Sequence, residues 1–359
     1  MNKLLLIDGS SLLNSQYFGN IPNSLRVAKD LKKKAKTDEE VEKANEEIEK
    51  AYKDLLQTST GIYTNGVYGF VKYLFSAIKV LNPTHVVVTW DVTRDTFRRD
   101  MMPEYKGNRG AVESPLKQQF KTCQELLAKM NIKQFFSTDY ESDDYCGSLV
   151  EKFENDSKIY ILTKDHDFFQ LVSENTNILL LCQTLKISSS LNSKYGINEK
   201  EIPQKTFLVN PTTLREEYGL TPEAVTFVKG IAGDTADNIP GIPNIGDTTA
   251  LALSNIYKNI EDLYSDIEGK SDKEIEEVVK KWKDKGIKRN PLKYLTATDV
   301  FTNKGESLSA KEIGLLSEKL ATIKTDIEVS DSIDDLSFIN DTELFKNSLK
   351  EYEITSIKF

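Results

Sequence analysis

Three short runs of consecutive apolar residues punctuate the chain, and each ends in an acid. "KLLLID" closes on Asp8, "HVVVTWD" on Asp91, and "KIYILTKDHD" on Asp165 and Asp167. Unbroken apolar runs of this length read as strands buried on both faces, the habit of parallel sheets. Helix-period segments separate them, so the pattern predicts an α/β fold with a mainly parallel central sheet flanked by helices. Ligands of such sheets gather beyond the carboxyl ends of the strands, where these acids would lie. A further acidic group opens a helix. In "YESDDYCGSLVEKF", Glu141, Asp143 and Asp144 lead into an apolar stripe of Tyr145, Leu149, Val150 and Phe153. Helix capping accounts for one or two such acids, not for three.

Two stretches interrupt the alternation. Residues 24–57 carry Val41, Ala44, Ile48, Ala51 and Leu55 at helical spacing, behind a capping box of Thr37 and Glu40. They predict a helical hairpin broken near Thr37. Residues 184–205 are polar and rich in Ser, Asn and Lys, and read as a surface loop. Residues 221–257 hold two helix-period segments around Pro240, Gly241, Pro243, Asn244 and Gly246, a helix–turn–helix whose turn N–H groups can meet a phosphate. Gly241 to Thr248 nearly spells a nucleotide-binding loop, but Asp247 stands at the lysine position and no strand precedes it. The preceding Asp234 and Asp237 would share a helical face if the first helix continues through them.

Composition narrows the class without choosing the partner. The 359 residues, 39% hydrophobic and 29% charged, describe a globular chain rather than a disordered one. The widely spaced cysteines Cys123, Cys146 and Cys182 form no CxxC pair and suit a reducing compartment. With only four consecutive apolar residues before Asp8, the N-terminus predicts neither a signal peptide nor a membrane span, and a cytoplasmic location. The net charge of −9 is unlike that of a typical DNA binder. Cations held by a cluster of acids would invert the local field.

The acids supply the chemistry. Two unit charges at about 4 Å repel by roughly 4 kcal/mol at an effective dielectric of about 20, so several carboxylates in one pocket must protonate or bind cations. Hard oxygen donors in number select Mg²⁺ or Mn²⁺, and paired ions of this kind serve phosphodiester hydrolysis.

The blocks "LLLIDGSSLL", "GVYGFVKYLFSAI", "WDVTRDTFRRDMMPEYKGNR", "YESDDY", "TKDHDFFQLV", "YGLTPEAVTFVKGIAGDTADNIPGIPNIGDTTAL" and "LLSEKLATIKTDI" stand in one order over residues 3 to about 327. In this the chain resembles the 5′-nuclease family of flap endonucleases and 5′→3′ exonucleases, which includes the N-terminal nuclease part of bacterial DNA polymerase I and stand-alone phage enzymes. The resemblance implies a PIN-like 5′-nuclease fold with a helical C-terminal helix–turn–helix region. It implies two divalent ions, Mg²⁺ or Mn²⁺, held by Asp8, Asp91, Glu141, Asp143, Asp144, Asp165, Asp167, Asp234 and Asp237. It casts residues 92–115 as an arch over a 5′ single strand, with Lys106 and Arg109 catalytic and Arg94, Arg98, Arg99 and Tyr105 against DNA. Gly241, Asn244 and Gly246 would grip the duplex backbone, with K⁺ at the turn. The expected activity is metal-dependent 5′→3′ exonuclease and flap endonuclease action on DNA in replication or repair. A PIN-type endoribonuclease and a non-catalytic DNA-binding protein of the same fold are the alternatives.

The implied organisation is a nuclease core over residues 1–187, with the insert at 24–57, and a C-terminal region over 188–359 whose tail packs back on the core. No polymerase domain follows, which predicts a monomeric nuclease with a DNA polymerase as partner in trans. Ser15 stands where the family usually has arginine, and Asn244 replaces a common glycine that Asn can imitate in the left-handed region.

Overall fold

β1 (Asn2–Asp8) runs through the middle of a six-stranded sheet, and Leu4, Leu5, Leu6 and Ile7 are fully buried because helices cover both of its faces. The computed structural model describes residues 2–357. β2 (His85–Thr89), β3 (Lys133–Phe135), β4 (Ser157–Thr163), β5 (Thr176–Leu181) and β6 (Thr206–Val209) complete the order β3-β2-β1-β4-β5-β6. Every pairing is parallel except that of β5 with β6. The register sets Asp8 beside Thr89 of β2 and Ile7 beside Leu162 of β4, so these three strands end at one edge. The alternating pattern thus gives the mainly parallel sheet that it predicts.

Between β1 and β2 lie α1 (Gly9–Gly19), α2 (Asn23–Lys34), α3 (Asp38–Ala51) and α4 (Asn65–Leu81). The pair α2 and α3 forms a helical hairpin, and Thr37 caps α3 by accepting from Glu40 N at 3.2 Å. α5 (Phe97–Met101) and α6 (Ser114–Lys129) follow β2, and α7 (Ser142–Phe153) precedes β4. One face of the sheet packs on α1, α4 and α6, and Leu25, Ala28, Ile48 and Ala51 of the inserted hairpin join that core. The other face packs on α7 and on the 3₁₀ segment His166–Leu171.

Residues 185–194 correct an expectation. They form α8 (Leu185–Lys194), not a loop, with Thr184 accepting from Ile187 N as N-cap. Its buried face is polar: Asn192 donates to Thr206 O at 2.8 Å and accepts from Leu208 N. A face buried through hydrogen bonds leaves no apolar stripe in the sequence.

α9 (Pro211–Tyr218) leads into a helical region made of α10 (Pro222–Ala232), α11 (Asp247–Ser254), α12 (Ile260–Ser265), α13 (Asp272–Asp284) and α14 (Leu292–Leu295). The short hairpin of β7 (Phe301–Asn303) and β8 (Glu306–Leu308) and then α15 (Ala310–Ala321) complete it, around Phe227, Ile231, Leu253, Trp282 and Ile313. α16 (Thr342–Lys350) packs Phe345 and Leu349 into the core beside α6. Among the described residues, no helix is long and apolar enough to cross a membrane.

Candidate active site

The carboxyl edge of the sheet converges on a hollow of about 190 Å³ lined by Asp8, Asp91, Glu141, Asp143 and Asp165, with Lys106 and Arg109 opposite. Each acid is positioned by the backbone feature that ends its element. Asp8 terminates β1 and caps α1, accepting from Ser11 N at 3.0 Å, while Thr163 Oγ1 donates to it at 2.9 Å. Gly9 lets α1 begin directly against β2, since a Cβ there would lie 2.7 Å from Val88 and 2.8 Å from Trp90. Asp91 Oδ1 accepts from Ser142 N at 2.9 Å, which ties the end of β2 to the start of α7. Glu141 is the N-cap of α7, where the helix dipole favours its charge.

The cost of this gathering is visible in the protonation equilibria. Burial, together with the neighbouring Asp91 and Asp165, pushes Asp8 up to about 7. Burial, with Asp144 and Glu141 nearby, holds Asp143 well above the ordinary carboxylate range. Asp167, also buried and beside Asp165, is pushed up to about 7. Carboxylates that resist ionisation this way are relieved by an added cation.

Protein cations supply part of that relief. Lys106 Nζ donates to Glu141 Oε2 at 2.6 Å and lies 3.5 Å from Asp237 Oδ2. Burial opposes the ammonium, but the facing Tyr105, Glu141 and Asp237 outweigh it and hold the group well above its usual value. Arg109 pairs with Asp237. Lys229 of α10 bridges Asp167 and Asp234, the latter at 2.6 Å. Nothing in the sequence marks Lys229 for this role, because its two partners lie on separate elements.

Asp234 and Asp237 do not share a helical face. α10 stops at Ala232, Gly233 takes φ 79°, and residues 234–239 close a turn through Asp234 N to Ile239 O and Ile239 N to Asp234 O, both 2.8 Å. That turn is sewn to residues 104–108. Lys106 N donates to Asp237 O at 2.8 Å, Asn108 Nδ2 to Thr235 O at 2.7 Å and Asn238 Nδ2 to Glu104 O at 2.7 Å. Asn108 and Asn238 carried no signal in sequence.

Four expectations need correction. Asp144 is fully buried and is not among the residues that line the hollow; it forms a two-pronged pair with Arg98 at 2.7 Å on each oxygen. It also accepts from Lys324 N and Glu141 N, so its oxygens are already engaged. Arg98 itself is 1% exposed and cannot meet DNA; its remaining N–H groups donate to Leu320 O and Thr322 O. Tyr105 is buried too, its hydroxyl 3.3 Å from both Glu141 and Asp237. Gly241 is interior, with its N–H donating to Ser317 Oγ at 3.1 Å. Asn244 and Gly246 remain exposed at the tip of the turn, Asn244 at φ 66°.

A wider cleft of about 940 Å³ opens from the hollow, between Arg94, Arg99, Lys106 and Arg109 and the α6 residues Lys117 and Lys121. Phe18 and Glu113 lie at its rim. Among the described residues, no three Asp, Glu, His or Cys side chains stand as a closed ligand set in this conformation. The potential ligands lining the hollow are nonetheless all oxygen donors, five carboxylates with the side chains of Ser10, Ser11, Asn14 and Ser142, a set that suits a hard divalent cation.

Comparison with known proteins identifies the family. A family model described as "5'-3' exonuclease, N-terminal resolvase-like domain" matches residues 44–206, and "5'-3' exonuclease, C-terminal SAM fold" matches 220–343. The chain is 30% identical over 266 residues to a 5′-3′ exonuclease of Bacillus subtilis, covering 74% of each chain. It is 31% identical to a 5′-3′ exonuclease of Buchnera aphidicola over 81% of this chain and 89% of that one. It is also 30% identical to DNA polymerase I of Bacillus subtilis, of which it spans only 27%. Among solved structures, bacteriophage T5 5′-exonuclease with bound zinc shares the fold at a TM-score of 0.55 and 16% identity, over 99% of both chains.

Proposed function

The chain belongs to the 5′-3′ exonuclease family, nucleases that hydrolyse DNA, and we propose that its acidic hollow holds two divalent ions and cuts phosphodiester bonds near free 5′ ends, as exonuclease and flap endonuclease. The observation that carries this is the delivery of Asp8, Asp91, Glu141, Asp143 and Asp165 to one hollow from the ends of β1, β2 and β4 and the start of α7, facing Lys106 and Arg109. In this proposal those five acids hold Mg²⁺ or Mn²⁺, with Asp167, Asp234 and Asp237, now paired with Lys229, Lys106 and Arg109, completing the set. The ions, when bound, supply an activated water and Lewis-acid polarisation of the scissile phosphate.

The protein's own groups do the rest. Lys106 and Arg109 lie where negative charge grows on the phosphate, and both are held by Glu141 and Asp237 before substrate arrives, so little reorganisation is needed. The exposed Asn244 and Gly246 offer backbone N–H groups to a duplex phosphate, contacts that position a substrate without reading its sequence; K⁺ at that turn belongs to the same proposal. The cleft with Arg94, Arg99, Lys117 and Lys121 takes the 5′ single strand. The bacteriophage T5 D15 flap endonuclease, which shares the fold at a TM-score of 0.51 and 15% identity, has been crystallised with DNA and metal ions. The similarity to DNA polymerase I supports a role beside a polymerase in replication or repair, and a cytoplasmic monomer belongs to the same proposal.

The test uses end-labelled flap, nicked and blunt DNA substrates and single-stranded RNA. Short 5′ fragments from the flap in Mg²⁺ or Mn²⁺, lost in EDTA, support the reading. Release from 3′ ends only, or cleavage of RNA but not of the flap, overturns it.

A further inference from the structure

The inserted hairpin is electrically split. Residues 23–36, α2 and its end, carry Arg26, Lys29, Lys32, Lys33, Lys34 and Lys36 against the single acid Asp30. α3 carries Asp38, Glu39, Glu40, Glu42, Glu46, Glu47 and Glu49 against Lys43 and Lys50. A solvated decoration has no need to sort its charges by helix. The structure shows which helix meets the cleft. Lys29 Nζ pairs with Glu113 at the rim and sits 4.7 Å above the ring of Phe18, which is itself 46% exposed there. Arg26 and Lys33, three positions before Lys29 and four after it, share its side of α2. Arg26 donates to Gly19 O at 3.3 Å, one residue from Phe18, and both Arg26 and Lys33 are exposed.

The hairpin is also rigid enough to present that edge. Leu25 and Ala28 pack with Ile48, Ala51 and Tyr52 in the core, and Ser24 Oγ donates to Asp54 Oδ2 at 2.7 Å. Lys29 pairs with Glu113, and within α2 Asp30 is the single acid beside Arg26, Lys32, Lys33 and Lys34, so this edge keeps a net positive charge.

We propose that the Arg26–Lys33 edge of α2 extends the basic cleft and binds backbone phosphates of the 5′ single strand after it leaves the acidic hollow. This deepens the proposed function and rests on it. The ligand is a polyanionic single strand, recognised by charge and not by sequence. The edge therefore contributes only when the strand is long enough to reach α2, and sets a preference for long flaps over single-nucleotide ones.

The experiment measures fluorescence anisotropy of labelled long-flap and single-nucleotide-flap DNA on the full chain in EDTA across a salt series, for wild type and for Arg26→Ala/Lys33→Ala. Loss of two single-strand phosphate contacts should lower the salt slope for the long flap by roughly 1.4, at about 0.7 per contact. The single-nucleotide flap should bind within two-fold of wild type. Arg26→Lys/Lys33→Arg, which keeps both charges, should restore the long-flap slope. An unchanged long-flap slope, an equal loss on both substrates (the edge then contacting duplex) or failure of the charge-preserving variant to restore binding overturns the proposal. Wild-type cleavage of the same flaps in Mg²⁺ is scored separately, so failure of the nuclease reading and failure of the α2 edge are told apart.

Discussion

Replacing Arg98 by leucine should unfold far more protein than it inactivates per folded molecule. Its guanidinium is 1% exposed, meets both oxygens of Asp144 at 2.7 Å, and donates to Leu320 O at 3.0 Å and Thr322 O at 2.9 Å. Arg98→Leu leaves the fully buried Asp144 carboxylate without its counter-charge, 3.7 Å of separation from Glu141 being lost as well. Breaking a buried pair from one side costs about 3–5 kcal/mol. Adding Asp144→Asn should recover at least about 1 kcal/mol, because the neutral amide carries no buried charge, although its single oxygen keeps only one of the bonds that Glu141 N and Lys324 N make to separate oxygens of Asp144. Urea denaturation followed by far-ultraviolet circular dichroism gives all three values. The refuting result is additive loss in the double variant, or Arg98→Leu within about 1 kcal/mol of wild type. Either would mean that Asp144 serves a cation in the hollow and not Arg98.

Other perturbations probe separate parts of the molecule. Lys106→Met should lower kcat on a flap substrate by roughly 10²–10³ while divalent-ion affinity holds, as measured by single-turnover cleavage against metal titration. Gly241→Ala should cost at least about 1–3 kcal/mol, since the position has φ 62° and a Cβ would overlap the backbone of Ala232 and Gly233; thermal melting reads it. Burial and the nearby Glu261 raise Glu318 to about 7 from an ordinary 4.5. The folded state then binds more protons than the unfolded one between those values, so stability falls as pH rises through them. Glu318→Gln should match wild type near pH 4.5 and exceed it at pH 8 by on the order of 1–2 kcal/mol after discounting for partial exposure, in urea melts at the two pH values.

What could be read from the chain depended on whether the signal was local. Leu4 to Ile7, Val86 to Val88 and Ile159 to Leu162 are apolar because both sides of each strand are covered, so the strands and the acids that end them stood out in one dimension. Thr37 with Glu40 marked the break between α2 and α3 for the same reason, since a capping box is a contact between near neighbours. Asp144 and Asp143 are adjacent and chemically alike, yet Asp143 lines the hollow while Asp144 pairs with Arg98. Only the approach of Arg98, 46 residues away, decides which of them is spent on structure. Lys229 and Asn238 went unseen because their partners lie on other elements. The polar face of α8 was hidden because hydrogen bonds, not apolar contacts, bury it.

The account's central claim is that carboxylates forced together at one sheet edge are there to hold divalent ions. Melting of the full chain against Mg²⁺ and Mn²⁺ concentration tests this without substrate, because an ion that binds only the folded state raises stability as its concentration rises. Wild type should melt at progressively higher temperature as either ion is added, and Asp8→Asn/Asp143→Asn should show no such rise. Equal behaviour of the two proteins, whether both respond or neither does, would contradict the account.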